Sequence, residues 1–61
     1  MKREIEEVIN TLLDEAKTFR GLAKILDKDP RMKVEVTVCD GLAEACHGLV
    51  NLVRLEVEIS S

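Results

Sequence analysis

Two runs decide the fold: Lys33-Val34-Glu35-Val36-Thr37-Val38 and Val53-Arg54-Leu55-Glu56-Val57-Glu58-Ile59-Ser60. In each, apolar and polar residues alternate strictly, and period-two alternation is the pattern of a strand with one face on a core and one in water. Val34, Val36 and Val38 in the first run, and Val53, Leu55, Val57 and Ile59 in the second, supply the apolar faces. With both outer faces charged, helices are expected on one side only of the resulting sheet.

Cys39 to Asn51, between the runs, reads in two ways. In one, Asp40 is an N-cap and Leu42 to about Asn51 form a short helix presenting Leu42, Ala45, Cys46, Leu49 and Val53 on one face. In the other, Asp40-Gly41 is a type I′ turn and Leu42 to His47 form a middle strand. The helix is preferred, because Ala, Leu and Glu dominate the segment and no β-branched residue occurs from Asp40 to Leu49.

Before the first run, apolar residues recur at helical spacing from Glu4 to Lys28: Ile5, Val8, Ile9, Leu12, Leu13, Ala16, Phe19, Leu22, Ala23 and Leu26. Glu4, Glu6 and Glu7 near the start and Lys24 and Lys28 near the end match the helix dipole. Pro30 stops this helix by pushing Asp29 out of helical geometry, and Asp27 to Met32 form the only linker. Gly21 falls on the polar face, a tolerated glycine or a slight bend. The expected architecture is therefore α/β (α+β), in the order helix, strand, short helix, strand, as a single domain over residues 1–61.

A chain of 61 residues buries only about 60% of the surface its unfolded form exposes, so a further source of stability is expected. Two strands are marginal as a sheet, and the long helix carries more apolar surface than they can cover. A homodimer mends both deficits. Ile5, Ile9, Leu12, Leu13, Phe19, Leu22 and Leu26 are the interface candidates.

Net charge −3 and a single aromatic residue, Phe19, argue against a nucleic-acid partner, which calls for basic patches and stacking platforms. No uninterrupted apolar run approaches the roughly 18 residues of a membrane span, and the charged start Met1 to Glu7 lacks a signal-peptide core, so a cytoplasmic protein is expected. Glycine-rich phosphate loops, G-x-S-x-G and H-E-x-x-H are missing, and no cofactor is implied.

Only Cys39, Cys46 and His47, with Asp40, carry chemistry. Zinc sites present pairs such as C-x₂-C, whereas this segment reads C-x₆-C-H, and on a helix Cys46 and His47 point about 100° apart. Cys39, at a strand end before a helix start, is the better thiol nucleophile. Small core fillers are the simpler reading of both cysteines. On the helix reading their Cα atoms lie beyond the roughly 7 Å limit for a disulfide.

The expected function is a non-enzymatic, self-associating scaffold domain. Its regular patterning is of the kind written into designed sequences, although Gly21, the free cysteines, His47 and Asn10-Thr11 depart from it. The alternatives are a metal-binding or thiol-reactive protein using Cys39, Cys46 and His47, and an adaptor that offers its long helix or a sheet edge to another protein.

Overall fold

A computed structural model, which describes residues 2–60, is a helical hairpin: α1 (Lys2–Leu26), a 3₁₀ turn (Pro30–Met32) and α2 (Lys33–Ser60). No strand occurs among the described residues, so the α/β expectation is corrected. The first helix stands close to where periodicity put it. Lys33–Ser60 is one continuous helix, in which both expected strands and the expected short helix are merged.

The reason lies in a longer period that the alternation concealed. In α2, Met32, Val36, Cys39, Ala43, Cys46, Val50, Val53 and Val57 recur at alternating spacings of four and three, beginning one residue before the helix proper. In α1, Ile5, Ile9, Leu12, Ala16, Phe19, Ala23 and Leu26 do the same. This is the heptad seam of two helices packed side by side. Each pair of steps in the expected strands turns about 200° around a helix, so Val36 points away from Val34 and Val38, which share one face about 40° apart. Val36 enters the seam, whereas Val34 is 73% exposed and Val38 is 54% exposed. Valine's low helix propensity, worth at most about 0.7 kcal/mol per residue, is outweighed by a seam that runs the length of the chain. Thr37, a further poor helix former, returns its hydroxyl to the Lys33 carbonyl at 3.0 Å.

The seam closes most tightly at its smallest residues. Ala16, Ala23, Ala43 and Val50 are the fully enclosed side chains among the described residues, and the larger seam residues Ile5, Ile9, Leu12, Phe19 and Leu26 are half-buried around them. Ala23 and Val36 line one concavity and Ile9 and Val53 another, a register that carries Ala16 opposite Ala43. Alanine at facing positions lets two helix axes come to the short end of the usual 8–10 Å spacing.

The link between the helices is built by Asp29 and Pro30. Asp29 takes the extended conformation that a following proline demands (φ −112°, ψ 112°), but Pro30 then opens the next helical turn instead of starting a strand. The Asp29 carboxylate accepts the Arg31 backbone N–H at 3.0 Å as an N-cap. It also grips the Arg31 side chain, with Nη2 donating to Oδ2 at 2.8 Å and Nε donating to Oδ1 at 3.1 Å. The Arg31 side chain, followed by its backbone N–H, holds the Asp29 carboxyl below its usual range. A carboxyl depressed in the folded state stabilises it above the ordinary Asp pKa near 3.8, and that contribution is lost as pH falls through the lower folded value. Asp29→Ala should therefore lower the melting temperature at neutral pH. Asp29→Asn, which keeps a capping acceptor without the charge, should melt between the two at neutral pH and lose less stability on acidification than the parent. Parallel acid dependence of parent and Asn variant in thermal melts would refute this account of the link.

Candidate interaction surface

The hairpin has two unlike sides. Around α2, the seam is followed by a polar stripe of Asp40, Glu44, His47, Asn51 and Arg54, all exposed, and then by an uncovered apolar face. That face holds Val38, Leu42, Ala45, Leu49, Leu52 and Ile59, spaced four, three, four, three and seven: a second heptad series, one residue out of step with the first. Leu52 is 60% exposed and Ile59 is 70% exposed. The same side of α1 contributes exposed Val8, Leu22 and Ile25, but Glu4, Thr11, Glu15 and Thr18 interrupt it. The apolar surface left uncovered thus belongs chiefly to α2.

The shape follows from having only two layers. The molecule measures 48 × 16 × 9 Å, with a radius of gyration of 14.3 Å where a compact chain of this length would have about 10.5 Å. Its accessible surface is 4960 Å², against about 3950 Å² for a typical folded monomer of its 6.8 kDa mass. The excess, about 1000 Å², is comparable to the roughly 800 Å² that each partner loses in a standard-size protein interface.

Two concavities flank the seam. Near the turn, Arg20, Lys24, Asp27 and Asp40 rim an open, charged hollow floored by Ala23 and Val36. Toward the opposite end, Ile5 and Ile9 face Leu49, Leu52, Val53 and Val57 across a wide apolar cleft of about 1000 Å³. Both open broadly to solvent.

Most of the residues expected at an interface have a different task. Ile5, Ile9, Leu12, Phe19 and Leu26 serve the intramolecular seam, Leu13 is half-buried at its edge, and Leu22 alone of the seven is exposed. Cys39 and Cys46 occupy seam positions of α2 one heptad apart, with Ala43 between them, half-buried and unlinked. Seven residues of helix separate them by about 10 Å, and His47 points to the polar stripe. Cys39 is not before a helix start but well inside α2, where backbone N–H groups are already paired, so the thiolate-stabilising position expected for it is absent. Asp40 likewise is a mid-helix residue and caps nothing. Among the described residues no three His, Cys, Asp or Glu side chains are grouped to hold a metal ion.

By length and composition, the Pro30–Ser60 segment is apolar enough to cross a membrane, with 11% of its most apolar window buried in the hairpin. The same apolarity arises from a helix that carries a seam and a second face together.

Compared with known protein families, curated proteins and solved structures, the chain matches none.

Proposed function

We propose that the chain is a non-enzymatic association module, a helical hairpin that pairs with a second copy of itself to form a bundle. The observation that carries this reading is the second heptad series on α2, a face with the spacing of a helix-packing seam and nothing packed on it. Hairpins of this kind reach a complete core by adding helices from another hairpin, and a closed two-fold dimer is the simplest way to supply them. The chain as a whole exposes about 1000 Å² more than a compact monomer of its mass, comparable to what one partner loses in a standard-size interface.

A lipid surface is the competing occupant for an apolar helix face. The α2 composition disfavours it: a span would carry Asp40 and Glu44 near its centre, at about 2.5–3.5 kcal/mol for such a carboxylate. A helix lying in the headgroup region favours lysine and arginine on its polar face, whereas the stripe here sets Asp40, Glu44 and Glu58 against a single arginine, Arg54.

Sedimentation velocity over a range of concentrations tests the reading. The expected result is a species of twice the 6.8 kDa chain mass that dissociates on dilution. Leu49→Glu, on the exposed face, should give a helical monomer at concentrations where the parent is dimeric. A parent that sediments as a monomer up to the highest micromolar concentrations overturns the proposal.

A further inference from the structure

The two sides of the hairpin balance their charges differently. On the polar side Asp27 and Asp40 share one hollow with Arg20 and Lys24, so carboxylates and cations of this chain answer each other there. The apolar side has no such balance. Stepping by four and three, the α1 series that starts at Glu4 and the α2 series that starts at Glu35 hold the ionisable residues Glu4, Glu15, Glu35 and Glu56, all acidic, and none of the chain's 9 lysines and arginines. Glu15, Glu35 and Glu56 are exposed and enter no ion pair among the described residues. Arg31, one turn before Glu35, is taken by Asp29 at 2.8 Å. Lys2 and Arg54 reach the apolar cleft from the polar side, each four residues from a glutamate, Glu6 and Glu58. Glu35 and Glu56 mark the two ends of the α2 face, about 32 Å apart, and the register that sets Ala16 against Ala43 puts Glu15 near midway.

Going beyond self-association, we propose that this face is a docking surface for an amphipathic helix of a different protein, one whose apolar stripe is flanked by lysine or arginine. Charge complementarity selects the occupant. A second copy covers the leucines but adds its own Glu15, Glu35 and Glu56 to the same contact without a counter-charge, and like charges set together across a contact oppose it. A basic helix of about six turns covers the same leucines and meets the carboxylates at both ends and at the middle. Leu42, Leu49 and Leu52 supply the apolar contact, and Glu56 stands at the rim of the cleft that Leu49 and Leu52 share with Ile5 and Ile9. The self-paired form is then a resting state that the basic helix displaces.

Two synthetic helices that share one leucine–alanine stripe and differ only in the flanking residue, lysine or glutamate, test the proposal by fluorescence anisotropy, with sedimentation equilibrium following the homodimer. The lysine peptide should bind about 10-fold or more tightly than its glutamate twin, lose affinity as salt is raised, and dissociate the homodimer. Combining Glu15→Gln, Glu35→Gln and Glu56→Gln should weaken lysine-peptide binding about 10-fold and strengthen the homodimer by a similar factor, two opposite shifts that a merely structural role would not produce. Asp14→Asn, Asp40→Asn and Glu44→Gln together change the net charge equally but lie off the face, and should alter either affinity by no more than about 2-fold. Circular dichroism on each variant reads whether the hairpin is kept. Equal binding of the two peptides, or equal losses in the two triple variants, overturns the docking of a basic helix and leaves self-association standing. A monomeric parent that binds the lysine peptide selectively supports the docking and overturns self-association alone.

Discussion

Val50→Asp should leave the chain unfolded at neutral pH. Val50 is 2% exposed and is the largest side chain so enclosed, and the substitution removes its burial while placing a carboxylate in the seam. No cation enters that seam to pair with it: the seam positions of α1 around the facing register are Ile9 and Leu12. Lost apolar burial accounts for about 2 kcal/mol, and an unpaired buried charge for about 3–5 kcal/mol more. A folded chain of this length has about 3–9 kcal/mol of stability in all. Loss of the helical circular-dichroism signal at 25 °C is the expected readout. A Val50→Asp chain that stays helical with an unchanged melting temperature would show that the seam described here does not hold the hairpin together.

The second large effect comes from adding atoms. Ala43 is 0% exposed, and the register sets it against Ala16, so the two alanines fix how closely the helices approach at mid-length. Ala43→Leu puts a branched side chain where one methyl fits, and the helices must part or the leucine must leave its rotamer. Overpacking of this kind typically destabilises by about 1–3 kcal/mol, although leucine is nearly as good a helix former as alanine. The same substitution at Ala45, exposed on the other side of α2, should leave the monomeric fold intact. Urea titrations of Ala43→Leu and Ala45→Leu, run under dissociating dilution, separate the two positions. Equal midpoints would contradict the assignment of one to the seam and the other to the surface.

The contrast between Ala43 and Ala45 also shows how far the sequence could be read. The first helix was legible because its apolar arc is narrower, bordered on one side chiefly by charge and on the other by a stripe that Glu4, Thr11, Glu15 and Thr18 interrupt, so one period accounts for it. In α2 the apolar residues cover more than half the circumference, so residues two apart can both be apolar, one in the seam and one on the second face, and mimic a strand where polar residues fall between them. Val34-Glu35-Val36-Thr37-Val38 is such a run. The signal that distinguishes helix from strand was the series from Val36 through Cys39, Ala43, Cys46 and Val50 to Val53, which passes without a break across the supposed boundaries at Cys39 and Asn51. Read over the whole segment, it fits one helix and no combination of strands.

The surface was less legible than the fold. The expectation that α1 carries the interface follows from its having more apolar surface than two strands can cover, but with α2 a full-length helix, Ile5, Ile9 and Phe19 pack along its seam. What remains uncovered is therefore on α2, the helix with less conspicuous amphipathicity. The deficit in buried surface was readable from length alone; the side on which it falls required the register.

The three-residue connection from Asp27 to Asp29 bears on how quickly the hairpin is made. Each seam pair lies one turn further from the link than the pair before it, so the chain can close by zipping outward, every step enclosing only a slightly larger loop than the last. Contacts near the link join residues adjacent in sequence, and such local connectivity is the condition for rapid folding. Asp29 and Pro30 thus act on the kinetics as well as on the geometry: by fixing the first turn of the return helix they set the starting point from which the remaining layers form.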